Sequence, residues 1–408
     1  MLFNLMRSFR KEFIFFCRKT LLIKMEDTHQ IRMLISFHMY SMMYLRKLLR
    51  FFKILQREGI DMSRSTIFFL LVCLILLTLT SCSLNFDDNT RQRIGSQEIE
   101  IIKNETNDET ELPQDNVQFY VPSEKENSIS VIDIPSNKVI QEIKTGERPA
   151  NVVFANEKAF VTHRQGNSVG VINLKEMKMI KEIEVGIDPH GIALSNDQKQ
   201  LYVTTVGDQY VYVIDTVRLE VNRKIDLGEG ARTNYPYLHE DILYISDHKN
   251  LLVYAVSNDK IIHTYKVNGS PMVIRTISNG NLLYVASSNY NAIEVFNTKS
   301  GKKEKDIESG IDVTDFVINE EKAIMVVTNK NDNSVSIIDL QTDKVIKKIQ
   351  DISAPKHISF NKDMSMVYVT LSGSNKVAVI NLETNEYIEE IEVGYNPHGI
   401  HLRVDNKN

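Results

Sequence analysis

From Val117 onward, short apolar runs recur at nearly constant spacing, and polar breaks separate them in the strand period of two. The unit that starts at Gly191 gives the order. Ile192-Ala193-Leu194 predicts a first strand, Leu201-Tyr202-Val203-Thr204 a second, Val211-Tyr212-Val213-Ile214 a third and residues 221–227 a fourth. The third run is largely apolar on both faces, as suits a strand packed between two layers. The fourth mixes charged with apolar residues, as in Lys181-Glu182-Ile183-Glu184-Val185 and Glu389-Glu390-Ile391-Glu392-Val393. That mixture predicts a solvated outer face whose charges guard a sheet edge.

The unit repeats. Glycines close successive units at Gly146, Gly186, Gly228, Gly269 and Gly310, spaced 40, 42, 41 and 41, and Gly394 follows after 84, twice the repeat. Asp or Asn ends the third run at Asp133, Asn173, Asp215, Asn297, Asp339 and Asn381, and the member expected near Val256 has lost it. Such a side chain bonds its own following backbone and shapes the turn. First strands are predicted to begin near Asn151, Gly191, Thr233, Met272, Val313, His357 and Gly399, which makes seven. The region opens on second-strand sequence, Val117-Gln118-Phe119-Tyr120-Val121, and closes on a lone first strand, Ile400-His401-Leu402-Arg403-Val404. Four strands per unit predict an all-β, seven-bladed β-propeller over residues 117–408. Its last strand enters the blade of Phe119, closes the ring and removes the free edges.

Several of these strands carry a recurrent wording. Second strands read Leu201-Tyr202-Val203-Thr204, Leu283-Tyr284-Val285-Ala286 and Val367-Tyr368-Val369-Thr370, and third strands read Ser130-Val131-Ile132-Asp133 and Ser336-Ile337-Ile338-Asp339. They resemble the YVTN β-propeller family. The resemblance implies the fold and leaves the activity open, because such propellers host many roles. The absence of Trp argues against the WD40 type with its repeated Trp-Asp.

Composition changes before Val117. From Met62 the chain carries Arg64, then an apolar core from Ile67 to Leu79, then small residues, the layout of a secretory signal. Leu79-Thr80-Ser81-Cys82 resembles the bacterial lipobox, which implies that Cys82 is acylated and begins the mature chain. A spanning helix is the competing reading, but Ile67 to Leu79 falls short of the roughly 20 residues that a bilayer needs. Two or more acyl chains hold a protein stably, each buried methylene contributing about 0.8 kcal/mol. Residues 1–61 are basic and hydrophobic and precede a complete signal. The expectation is that translation begins at Met62 and that 1–61 are a mis-called upstream extension; the alternative is a basic, membrane-associated leader. Residues 62–81 then form the signal peptide. Residues 82–116, with Asp87, Asp88, Glu98, Glu100, Glu105, Asp108, Glu109, Glu111 and Asp115, form an acidic flexible spacer. The expected location is the cell membrane, lipid-anchored and facing outside the cytoplasm.

Cysteine and charge remove some functions. Cys17, Cys73 and Cys82 all precede the strand region, so it holds no disulfide, no thiolate metal site and no Cys-x-x-Cys-His haem attachment. A net charge of -5 argues against nucleic acid, whose phosphates need a basic footprint.

Candidate chemistry sits in the turns that lead into first strands: Asp188-Pro189-His190-Gly191, Ala354-Pro355-Lys356-His357 and Asn396-Pro397-His398-Gly399, with Arg148-Pro149-Ala150-Asn151 and Ser270-Pro271-Met272 as relatives. Pro fixes the approach and Gly permits close packing, so the turn has a structural reason of its own. First strands line the channel of a propeller. His190, His357 and His398 are therefore expected around one channel mouth, with Arg148 and Arg232 nearby. Converging imidazoles can bind an anion or ligate a divalent metal, for which His190 and His398 are the candidates. Against this stands the fact that repetition puts like residues in a ring whether or not anything binds. Asp188 beside His190 is the one carboxylate–histidine pair in view, and His163 and His248 read as surface residues of loops. The first functional reading is a non-catalytic binding or scaffold lipoprotein whose propeller mouth holds a protein, a cell-wall polymer or a small ligand. The second is a metal-dependent hydrolase or lyase resembling propeller lactonases. The third is a propeller that binds a redox cofactor non-covalently through His190 or His398.

Overall fold

The structure, a computed structural model, describes residues 117–277 and 279–404. They form 28 strands in seven antiparallel four-stranded sheets, the blades of a propeller. Blade 1 holds both ends of the domain, in the order His401–Val404, Val117–Ser123, Ser128–Asp133, Lys138–Lys144. In its inner pair Val117 faces Val404 and Tyr120 faces His401, and Ser123 bridges to Pro397. Blades 2 to 7 follow in chain order, with inner strands at Pro149–Ala155, Pro189–Leu194, Thr233–His239, Pro271–Ile277, Val313–Asn319 and Pro355–Phe360. Every inner strand touches those of both neighbouring blades, so the ring is closed by the non-covalent clasp that the sequence predicts. The residues read as upstream extension, signal, Cys82 and spacer lie outside the described ones. Among the described residues no helix is long and apolar enough to cross a membrane.

The core lies between blades. Phe119, Val121 and Ile132 of blade 1 pack on Tyr368, Val377, Val379 and Ile391 of blade 7, with the Phe119 and Tyr368 rings 4.5 Å apart. Each such side chain contributes about 1.5–3 kcal/mol by leaving water. Third strands are buried almost from end to end, as at Ser128–Asp133, because both faces meet a neighbouring blade.

The outer strands depart from simple alternation. Near the end of each outer strand one side chain is buried, as Ile143, Ile183 and Ile391 are. Ile140, Ile180 and Ile388 are 44%, 48% and 47% exposed. The ladder explains this: Val131 faces Gln141 and Ile132 faces Val139, so Ile140 is the extra residue of a β-bulge. The same skip falls at Ile180 and Ile388. A bulge on every outer strand bends the edge away from a partner, so edge protection is geometric as well as ionic.

The Asx positions do what their chemistry suggests. Asn173 Oδ1 accepts from the backbone of Lys175 and Glu176, and Asp215 Oδ1 accepts from Val217 and Arg218. In blade 4 the position is Ser257, and it faces Lys260 across a two-residue turn. Asn258 and Asp259 both hold left-handed φ, 51° and 61°, the pattern of a type I′ hairpin, so no Asx cap is needed.

Candidate functional site

The turns that enter the channel are held in place by their neighbours. Arg148, Asp188, Ala354 and Asn396 precede the prolines with φ of 54°, 54°, 46° and 59°, a region that costs a non-glycine residue about 1 kcal/mol. An asparagine from the loop between second and third strands secures each one. Asn127 Oδ1 accepts from the Arg148 backbone N–H, Asn167 from Asp188, Asn333 from Ala354 and Asn375 from Asn396. Gly191 and Gly399 are required by close approach. A Cβ on Gly191 would lie 2.4 Å from Pro236 Cδ, and one on Gly399 would lie 2.7 Å from the Ala150 carbonyl. Pro and Gly are thus structural, and the residue between them is free to carry chemistry.

At that mouth the side chains fill the channel themselves. His190 Nε2 lies 3.0 Å from His398 Nε2, and the His398 ring stacks on His357 at 4.9 Å. Their proton positions follow from the partners. The Asn234 carbonyl can only accept, so His190 Nδ1 carries a hydrogen and its Nε2 accepts from His398 Nε2–H. His398 Nδ1 is left as a buried lone pair with no partner. Burial first, then the charges of Arg164 and Lys356, hold His190 and His398 well below the usual histidine range, and both are neutral.

Above them sits a carboxylate encircled by cations. Glu124 Oε2 accepts from Arg148 Nη2 at 2.9 Å and Asn396 Nδ2 at 3.2 Å. Its Oε1 lies 3.4 Å from Lys356 Nζ and His398 Nε2, and 3.8 Å from Arg164. Burial alone would raise Glu124, but Lys356, Arg148 and Arg164 outweigh it and hold it ionised below the usual range. Lys356 is pushed down to about 8, by burial first and then by Arg164 and Lys330, against the pull of Glu124. Arg164 also forks onto Asp188 at 2.7 and 2.8 Å. This ionic plug closes one end of the channel.

The other end is open. A cavity of about 650 Å³ runs in from the far mouth, where the inner strands finish. Phe154, Leu194, Leu238, Val317, Phe360 and Leu402 form its wall, and Asn151, Tyr235, Arg275, Asp315, His357 and His401 supply its polar groups. Three of these are wired in series. Tyr235 O–H donates to His357 Nε2 at 2.8 Å, and His357 Nδ1–H donates to Asp315 Oδ2 at 2.9 Å. Burial opposes ionisation of Asp315, but the bond from His357 and the charge of Arg275, 3.3 Å away, keep it an anion. Burial, then Asp315, raises Tyr235 far above its ordinary value, so the phenol stays protonated. His401 is held down to about 3, chiefly by burial, and its Nε2 has no partner.

The structure therefore brings His190, His357 and His398 together, with Arg148 at the rim. The three histidines lie beneath a salt-bridged lid, each at most 5% exposed, and not around an open mouth. Arg232 stands apart: its guanidinium bonds the Ala231 carbonyl of its own loop. Asp188 pairs with Arg164 and not with His190, because the left-handed turn aims its carboxylate across to the neighbouring loop. His163 is fully buried and not a surface residue. It accepts from Gly146 N–H and contacts Ser168, and a Cβ on Gly146 or Gly170 would strike its ring. His248 is half-buried. Of the metal candidates, His190 and His398 offer two ring nitrogens beside Glu124, but three cations already surround that carboxylate. Among the described residues no group of three or more His, Cys, Asp or Glu converges to hold an ion.

Sequence reasoning missed Glu124, Arg164, Tyr235 and Asp315, although the repeat contains the signal. The residue just after each second strand reads Glu124, Arg164, Val206, His248, Ser288, Lys330 and Ser372 around the ring. The residue two places after each turn proline, or its equivalent, reads Asn151, Gly191, Tyr235, Val273, Asp315, His357 and Gly399. Glu124 and Arg164 of the first column meet in the plug, and Tyr235, Asp315 and His357 of the second are wired together below it.

Seven four-stranded blades around a closed channel define the class, and the chain belongs to the β-propeller repeat proteins. Residues 239–406 match the YNCE-like beta-propeller family. No curated protein matches the chain significantly in sequence. Among solved structures, the periplasmic gluconolactonase of Pseudomonas aeruginosa is similar with a TM-score of 0.60 and 12% identity, over 70% of this chain and 98% of that one. Hydrazine synthase of Kuenenia stuttgartiensis gives 0.59 and 16%, over 68% and 98%. Dihydro-heme d1 dehydrogenase NirN gives 0.55 and 12%, over 70% and 74%. At these identities the likeness is one of fold.

Proposed function

We propose that the chain is an extracytoplasmic binding module, tethered to the membrane by lipid on Cys82, that holds a small ligand in the channel. The observation that carries this reading is the 650 Å³ cavity, which has the size, the apolar wall and the few fixed polar groups of a ligand pocket. Tyr235 and His401 fix the ligand's orientation, and the ionic plug keeps it from passing through. Native mass spectrometry of the purified chain after exposure to a metabolite extract tests this. A bound mass is expected in the wild type and lost in Ala193→Phe, which fills the cavity. Equal occupancy in both would sink the reading. Metabolic labelling with a fatty acid, lost in Cys82→Ser, tests the tether.

A second reading, a hydrolase or lyase acting in the same cavity, is favoured by the Asp315–His357–Tyr235 chain. A carboxylate orients the imidazole, and the imidazole can exchange a proton with the phenol, so the chain supplies a general acid and base. If the captured ligand is converted on prolonged incubation and Tyr235→Phe stops conversion while still binding, the enzyme reading wins; ligand recovered unchanged rules it out.

A further inference from the structure

In the ion-paired cluster at the plugged end of the channel, cations outnumber carboxylates three to two. It holds Arg148, Arg164 and Lys356 against Glu124 and Asp188. Both carboxylates are saturated: Glu124 meets all three cations, and Asp188 takes the Arg164 fork. Lys330, in the same loop position of blade 6 that Glu124 and Arg164 hold in blades 1 and 2, adds a further cation near Lys356. Depth separates the signs. Glu124 lies beneath at 4% exposure, whereas the Arg148 and Lys356 side chains are 44% and 20% exposed. Arg148 uses Nη2 on Glu124, and Lys356 makes one long bond of 3.4 Å. Among the described residues neither head has a second carboxylate partner. Arg148 and Lys356 thus grip the two oxygens of one carboxylate.

We propose that this mouth binds a compact oxyanion, a carboxylate or phosphate group, on Arg148, Lys356 and Lys330. Arg148 supplies the planar fork, and the two lysines supply point charges. Glu124 beneath is the site's own precedent, since it shows that these heads converge on a carboxylate. The anion neutralises what Glu124 and Asp188 leave over, so binding also stabilises the fold. The site is at the opposite end from the cavity and stands or falls separately from it.

Thermal melts of the purified full chain in detergent test the proposal, with inorganic phosphate, glycerol phosphate and malonate each titrated against chloride at equal ionic strength. At least one oxyanion is expected to raise the midpoint saturably, by about 3 °C, where chloride does not. Arg148→Gln and Lys330→Gln are each expected to weaken that response about tenfold, each read against the variant's own anion-free midpoint, which Arg148→Gln lowers because Glu124 loses a partner. A response to phosphate, to its ester or to malonate identifies which chemistry the mouth prefers. The proposal is overturned if chloride gives the same shift, if no oxyanion shifts the midpoint, or if both variants respond like the wild type.

Discussion

The two ends of the channel are built from the same seven inner strands, yet one is sealed by charge and the other stands open. The residue after each turn proline, or its equivalent, reads Ala150, His190, Asn234, Met272, Thr314, Lys356 and His398 around the ring. Three places further along, the ring reads Val153, Ala193, Tyr237, Arg275, Val317, Ser359 and His401. At the first level the imidazoles touch across the axis, and Lys356 reaches Glu124 above them. At the second, small residues at Val153, Ala193 and Ser359 leave room, and the cavity opens. Repetition decides where side chains point; the size and charge of a few members decide whether a level closes. The closed end is ordered by ion pairs that saturate the carboxylates Glu124 and Asp188. Each level also buries one ring nitrogen without a partner, His398 Nδ1 in the plug and His401 Nε2 beside the cavity.

The harshest way to break this comparison is to remove what both ends share. Truncation after Gly394 takes His398 from the plug, His401 from the cavity wall and the inner strand from blade 1. The four paired residues of the clasp are few. Without them, however, blade 1 loses its seal and the ring regains two free edges. A fall of more than about 10 °C in the calorimetric midpoint is expected, since each kcal/mol moves a domain of this size by roughly 2–4 °C. A truncated chain that melted like the parent would mean that the ring holds without its clasp.

Next in size is the plug itself. Glu124→Gln keeps the shape and removes the only charge that Arg148, Arg164 and Lys356 share. Leaving buried cations without their partner costs about 3–5 kcal/mol in a dry site, and the partial exposure of Arg148 brings the expected loss to about 3 kcal/mol. Chemical denaturation at pH 7 measures it. High salt should recover part of the loss, because these cations then find counter-ions. A loss below about 1 kcal/mol would show that water already screens the plug, and the contrast between a dry end and a wet end would disappear.

How much of this was legible in the sequence follows from what a period can encode. The 40-to-42-residue repeat specified seven blades, the clasp and the direction in which the turns enter, because each depends on alternation and on Pro, Gly and Asx chemistry that is local. The contact of His190, His357 and His398 was legible too, once like positions were known to form a ring. What escaped was pairing across the axis. Glu124 and Lys356 are 232 residues apart, and Tyr235 and His357 are 122 apart, so no local pattern ties them. Burial escaped for a related reason. His163 ends a second strand and looks like a loop residue until glycines at 146 and 170 are seen to leave space for its ring. The bulges at Ile140, Ile180 and Ile388 were hidden as well, since an extra residue in a strand leaves the run of β-formers intact.

The finest test of the comparison uses protons. His401 at the open end is held down to about 3 and His163 between strands to about 4, and His190 and His398 in the plug are lowered as well. Their unfolded values lie near about 6.5. Above that pH neither state is protonated, and the stability contributed by keeping each ring neutral is complete. As pH falls below about 6.5 the unfolded chain takes up protons that the fold refuses. Stability then drops by about 1.4 kcal/mol per pH unit for each such histidine, until pH reaches its folded value. His401→Gln should therefore change little at pH 7.5, yet it should make the decline between pH 6 and 4 shallower by one histidine's share, read from urea midpoints along a pH series. If the slope is unchanged, His401 already protonates in the folded protein. Water then reaches the inner face of the cavity freely, and the histidines of the open end differ from His190 and His398 in hydration as well as in position.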